Sequence, residues 1–299
     1  MKPGRSVRKL FVVLVCSVTM LNFSDSRLRA QQKKSEPTSA TPFLTRTTTR
    51  HETRHFSYGG TVTVVGAPQG SVTVEGWSRD EVEVTANIEL QAPSEEDLNI
   101  IAAINKFVLD EDLNHLSVLT TGTQDKVLLK RVAKDFPKRL LGLPWKIDYR
   151  IRIPALTDLE INAGRGAIKL SGVEGAIQIS AAESEASLTL SGGTISVTVA
   201  AGKVSAKVPV RSWRGGGGTD IRVAAGEVTL EIPSGFNGDL DAEILRSGHI
   251  EDTSGALTAR ERPGLSPQKV KARAGAGGAF FQLTVGVGNV YIKKAAVTE

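Results

Sequence analysis

One short phrase recurs along this chain: glycine, any residue, an apolar residue, any residue, another apolar residue. It reads GSVTVEG at Gly70–Gly76, GAIKLSG at Gly166–Gly172, GAIQIS at Gly175–Ser180, ASLTLSG at Ala186–Gly192 and GTISVTV at Gly193–Val199. GKVSAKV, GEVTLEI, GDLDAEI, GALTA and GNVYIKK continue it from Gly202, Gly226, Gly238, Gly255 and Gly288. Strict alternation over about five residues describes a strand with one buried and one wet face. Glycine at each boundary supplies the positive φ that sharp corners need. With 30 glycines and aromatic residues at 5%, the chain is a poor candidate for a helical bundle.

The starts at Gly166, Gly175, Ala186, Gly193 and Gly202 are 9, 11, 7 and 9 residues apart. Taken in pairs they suggest two short strands per turn of a coil, each rung burying its apolar side on its neighbours. The expected fold is all-β: a β-solenoid or β-helix-like stack of short strands, with a small α/β insertion near its N-terminal end. A β-sandwich is the alternative, with longer strands and clearer two-residue hairpins.

Residues 1–30 read as a secretory signal peptide. Lys2, Arg5, Arg8 and Lys9 precede an apolar run from Leu10 to Leu21, and Ala30 suits a cleavage site. Leu28 is a poor −3 residue, so an uncleaved anchor is the alternative. This segment carries six of the 37 Lys and Arg and one of the 32 Asp and Glu, leaving 31 of each. The remainder is formally neutral, which removes the electrostatic case for nucleic-acid binding. Its one cysteine, Cys16, goes with the signal, so neither disulfides nor thiolate metal sites are expected.

Residues 31–55, polar and rich in Thr, are expected to be a flexible linker. The β-repeat domain is expected over 56–294, with 295–299 as a tail. Two stretches interrupt its pattern. Ser94–Ala103 opens with an N-cap serine and acids in the first turn, predicting a short helix; a hairpin pairing Lys106–Leu109 with Leu116–Thr120 follows. The second, 124–146, is basic and Leu-rich, and Pro137 breaks any single helix through it.

The run GSVTVEGWSRDEVEVTANIEL (Gly70–Leu90), the acidic helix after it and the closing GNVYIKK resemble the bacterial "putative adhesin" domain of unknown function. The resemblance spans Phe56 to about Lys294. The basic insert and the Gly215–Gly218 run depart from that family's tighter spacing. The resemblance implies a β-helix-like fold and a cell-envelope setting, and it brings no catalytic residues.

Several motifs invite a chemical reading. His51-Glu52-Thr53-Arg54-His55 spells HExxH, which on a helix would place two imidazoles and a general base around zinc. The Thr-rich surroundings make a poor helix, and the string is judged a chance match. Gly215–Gly218 followed by Thr219-Asp220 resembles one calcium-binding turn, a device that needs tandem copies. The glycines around Gly275–Gly278 and Gly286–Gly288 open no helix and are read as corners. Glu183/Glu185, Asp239/Asp241/Glu243 and Glu251/Asp252 are the carboxylate groups an enzyme could use, with solvated strand faces as the default. No metal, cofactor or catalytic residue is expected.

Within the insert, Lys130, Arg131, Lys134, Lys138 and Arg139 form a candidate envelope-contact patch, with peripheral membrane contact as one form of it. The competing reading is a cap over the end of the stack. The expected function is non-enzymatic: an exported, adhesin-like protein, periplasmic or at the cell surface, binding an envelope polymer or surface protein through a repetitive strand face. The alternatives are a carbohydrate-active enzyme on a β-helix and a periplasmic component of an envelope-stress signalling system. Only three Trp and three Tyr are present, a thin supply for a sugar-stacking platform.

Overall fold

The computed structural model describes residues 42–132, 136–208, 217–260 and 266–296. The signal segment 1–30, the first part of the linker, Lys134 and the first two glycines of the Gly215–Gly218 run lie outside them. The described chain begins with β1 (Leu44–His55), β2 (Thr61–Val65), β3 (Val72–Trp77) and β4 (Glu81–Ala92). Helix α1 (Glu95–Ile104), β5 (Lys106–Asp112), β6 (His115–Thr121) and the short helix α2 (Lys126–Val132) follow. Then come β7 (Trp145–Pro154), β8 (Asp158–Arg165), β9 (Ile168–Ser171), β10 (Gly175–Thr189), β11 (Gly193–Lys207) and β12 (Gly218–Ile232). The last are β13 (Gly238–Ser247), β14 (Ile250–Asp252), β15 (Thr258–Ala259), β16 (Lys269–Ala274) and β17 (Ala279–Lys294).

Alternation builds these strands as expected, but four of them are longer than one repeat. In β10, Ile177, Ile179 and Ala181 are buried while Gln178 and Ser180 face out. Ala182 and Glu183 are then both exposed, and alternation resumes with Ala186 and Leu188 inside. The strand therefore has two arms joined at a corner, and so do β11, β12 and β17. The corner stacks Ser184, Gly202, Gly226 and Gly288 in register. The three glycines have φ of +130°, +148° and +136°, which side chains rarely adopt.

Strands β10, β11, β12 and β17 run parallel and in register, with Gly175 beside Gly193 and Ile195 beside Thr219. Their first arms extend through β8, β2 and β6 to β5 on one side, and through β13 and β16 to β15 on the other. Their second arms extend through β9, β3, β7 and β4 to β1, and on the far side to β14. The result is one large, mostly β sheet, open at both ends among the described residues. The buried sides of both arms, with Leu98 and Ile101 of α1, make one apolar cluster.

The predicted helix is present, with the Ser94 side chain accepting from the Asp97 backbone N–H. The predicted hairpin is β5–β6, with Lys106 opposite Thr121. One expectation is corrected. Residues 44–55, read as the end of a linker, form a twelve-residue strand paired antiparallel along its whole length with β4. β-branched Thr favours extended backbone. A strand at the end of a ladder, with neighbours on one side only, needs no apolar alternation to be held.

Candidate functional surface

The outward face of the second-arm ladder is one of two long regular surfaces that the fold assembles, the other being the outward face of the first arms. Register brings one outward residue per strand into a single file: His51, Thr85, Arg150, Thr73, Lys169, Ser187, Ser205, Thr229, Tyr291 and Glu251. Ten strands at about 4.8 Å spacing make a face roughly 45 Å long. Hydroxyl groups dominate its middle, and no residue of the file belongs to the apolar core.

Charges flanking the file are largely paired with one another. Glu75 receives hydrogen bonds from Arg150 at 3.2 Å and Arg152 at 3.4 Å, and Arg152 also reaches Glu83 at 3.4 Å. Lys203 bridges to Glu227 at 3.1 Å, and that bond holds its ammonium above the usual lysine range. Lys146 is likewise raised, first by its bond to Glu89 and then by the Asp148 charge. Burial pushes the Asp148 carboxyl up, but hydrogen bonds from Ser71 and the nearby Lys146 outweigh it and leave it below the usual range. Lys169 has no ion pair among the described residues. Trp77 lies beside this cluster, donating Nε1–H to the Glu81 carbonyl at 2.8 Å with the Arg79 guanidinium 4.9 Å over its ring.

The residues nominated from the sequence are dispersed. Lys130 and Arg131 stand exposed on α2, and Lys138 and Arg139 lie on a 3-10 turn over Lys138–Leu140. Lys134 lies outside the described residues. Arg139 donates to Asp97 of α1 at 2.6 Å, and the Asp97 side chain is only 8% exposed. Leu140 is buried, and Phe136, Leu143 and Trp145 pack against the core. This part of the insert covers apolar surface, as a cap would.

The HExxH string lies on β1. His51 and His55 share an outward file about 13 Å apart along an extended strand. Glu52 points the other way, held by Arg50 at 2.6 Å and Arg54 at 2.9 Å. That geometry cannot converge on one ion. Among the described residues no group of three or more His, Cys, Asp or Glu could hold a metal.

Four of the nominated carboxylates, Glu183, Asp239, Asp241 and Glu243, are paired with cations, whereas Glu185, Glu251 and Asp252 have no ion pair among the described residues. Asp239, Asp241 and Glu243 stand opposite Arg273, Lys271 and Lys269 across β13–β16. The bond from Arg273 holds Asp239 below the usual carboxylate range. Glu183 pairs with Arg165 at 3.1 Å, and Asp220 with Arg222 at 2.6 Å. An open concavity of about 740 Å³ is lined by small and apolar residues including Val65, Ala67, Leu119, Ala163 and Ala181. Its one titratable lining residue is Asp125, whose carboxylate caps α2 through the N–H groups of Val127 and Leu128.

Sequence reasoning found the repeat strands of the file but not β1, which it read as linker, and not the file itself. Its members lie far apart in the chain, and only register aligns them. No family model matches the chain, and no curated protein matches it. Among solved structures, the chain is similar to a "putative cell adhesion protein" from Clostridium sporogenes, with 12% identity over 83% of this chain and 100% of that one and a TM-score of 0.47. It is also similar to a "putative adhesin" from Bacteroides fragilis, with 11% identity over 82% and 97% and a TM-score of 0.35. A "putative adhesin" from Parabacteroides merdae is 8% identical over 82% and 96%, with a TM-score of 0.25. These names match the family that Gly70–Leu90 resembles.

Proposed function

We propose that this chain is an exported, non-enzymatic envelope or surface protein, adhesin-like, whose rungs stack as a β-solenoid and bind a polymer or surface protein. The observation that carries the reading is the ten-strand outward file from His51 to Glu251. A repeated, shallow, hydroxyl-rich face suits recognition by many weak contacts along an extended ligand. The ion pairs of Glu75, Lys203 and Glu227 order its flanks. Cation pairing of Glu183, Asp239, Asp241 and Glu243 supports the non-enzymatic part, since a general acid and base need a free carboxyl facing a cleft.

The test is co-sedimentation of the chain with purified envelope fractions, polysaccharides, anionic vesicles and intact cells at two salt concentrations. Saturable binding to one fraction, weakened by Lys169→Glu on the outward file, is the expected result. No binding to any fraction overturns the reading. Binding that follows Lys130 and Arg131 instead of Lys169 moves the contact to the basic insert.

A further inference from the structure

Three large apolar side chains stand exposed where the neighbouring parallel strands β2, β6 and β8 begin. Tyr58 before β2 is 52% exposed, Leu156 before β8 is 55% exposed, and Leu113 before β6 is 100% exposed. Backbone bonds tie their loops together. Gly59 N–H donates to the Leu156 carbonyl at 2.8 Å, and Thr61 N–H donates to the Asn114 carbonyl at 2.9 Å. Leu113 is the tip of the β5–β6 hairpin and, among the described residues, the one non-glycine with positive φ, +21°. Glycine or asparagine suits such a position better. Leucine there gains nothing from burial within its own chain. Asp110, Glu111 and Asp112 lead up to it, all exposed and without an ion pair among the described residues.

The opposite arrangement stands at the other end of β6, about 20 Å from His115. There Gln124 and Asp125 lie at the corner beside Ala163 and Ala181, and α2 starts. Val127 is 62% exposed and shares a face of α2 with Lys130 and Arg131, at helical spacing. Lys126 adjoins them. The three cations are exposed and have no ion pair among the described residues. One chain therefore carries an apolar knob flanked by carboxylates and an apolar spot flanked by ammonium and guanidinium groups, too far apart to meet within one molecule.

We propose that the β5–β6 tip of one chain docks on the α2 face of a second copy, Leu113 covering Val127 and Asp110, Glu111 and Asp112 facing Lys126, Lys130 and Arg131. Tip against tip, or α2 against α2, would oppose like charges; only tip against α2 is complementary. The contact is heterologous, so it passes from copy to copy instead of closing at a two-fold dimer. It uses no residue of the outward file, so this proposal and the polymer-binding reading can fail separately.

Sedimentation velocity of the full chain, over a concentration series at low and high salt, tests it. A hairpin tip on one helix face is a small interface, so association is expected in the upper micromolar range. Species larger than a dimer should form there and recede as salt rises. Leu113→Asn relieves the backbone and should unfold no earlier than the parent, yet weaken association roughly tenfold or more. One charge-reversed chain carries Asp110→Lys, Glu111→Lys and Asp112→Lys; the other carries Lys126→Glu, Lys130→Glu and Arg131→Glu. Each should stay monomeric alone, and an equimolar mixture should associate again, which damaged folding could not produce. A monomeric parent, association that either reversed chain keeps alone, or a mixture that stays monomeric overturns the proposal. Binding of a monomeric parent to phosphatidylcholine vesicles, lost with Leu113→Asn, overturns it too, by assigning the tip to a lipid surface.

Discussion

The α-carbon of Gly226 packs directly on the carbonyl oxygen of Gly202 in the neighbouring strand, so that a Cβ on Gly226 would lie 1.7 Å from that oxygen. Gly288 repeats the relationship on Gly226. The contact is backbone on backbone, and relieving it would push two paired strands apart. Gly226→Ala should therefore cost about 3 kcal/mol, the combined effect of strained φ and a clash that no side-chain rotation relieves. Gly142 has no atom within 4 Å of a built Cβ, so Gly142→Ala should stay within about 0.5 kcal/mol. Urea unfolding of the two variants against the parent checks both.

Thr219, the second residue of β12, lies between Ile195 and Phe281 on the buried side, 1% exposed, and its hydroxyl has no hydrogen-bond partner among the described residues. Valine has nearly the same shape without the unsatisfied group. Thr219→Val should stabilise the chain by about 1 kcal/mol. A loss of stability in the same unfolding measurement would show that the hydroxyl is satisfied after all.

Tyr149 is buried, with its hydroxyl 2.7 Å from Thr120 Oγ1, and burial pushes its phenol up to about 12. A folded pKa raised above the unfolded value contributes stability that is complete below pH 10 and is lost as pH rises toward 12. Over that window Tyr149 should account for roughly 2–3 kcal/mol of alkaline destabilisation. The difference between the parent and Tyr149→Phe, followed from pH 9 to about 12 by circular dichroism, isolates this part from the exposed groups that titrate alongside it.

Arg139 and Asp97 tie the basic insert to α1, and the carboxylate is much the more buried of the pair. Arg139→Ala leaves that carboxylate without its cation and should cost about 1 kcal/mol, kept small because the guanidinium is largely exposed. Adding Asp97→Asn should recover part of the loss, a coupling that a double-mutant cycle measures. Lys130→Gln and Arg131→Gln, with no ion pair among the described residues, should leave stability within about 0.5 kcal/mol.

How much was legible in the sequence depends on how local each feature is. GSVTVEG yields β3, and Ser94 with the acids after it yields α1, because alternation and capping are written within a few residues. Strand β1 was missed because Thr, Arg and His occupy both of its faces; its partner, and not its own pattern, makes it a strand. The two-armed shape of β10, β11, β12 and β17 was hidden for another reason. Phase breaks such as Ala182-Glu183 look like a boundary between two short strands, yet the backbone continues through them. The outward file was least legible. It needs Thr73 beside both Arg150 and Lys169, a register set by the whole stack and by no single segment.

Charge reversal on that file tests whether it binds anything. Lys169 faces out between Thr73 and Ser187 with no ion pair among the described residues, so Lys169→Glu changes the face without breaking a contact that holds the fold. Unfolding stability should stay within about 0.5 kcal/mol. Thr229→Lys, three strands along, should act the same way from the opposite sign if the ligand is cationic. An anionic polymer predicts loss of binding with Lys169→Glu and gain with Thr229→Lys, both diminishing as salt rises past about 0.15 M, where the Debye length falls to about 8 Å. An uncharged polysaccharide predicts that neither change matters much, and that Ser205→Leu, which removes a hydroxyl and adds bulk at the centre of the face, weakens binding instead. Co-sedimentation of the three variants at two salt concentrations separates the ligand classes.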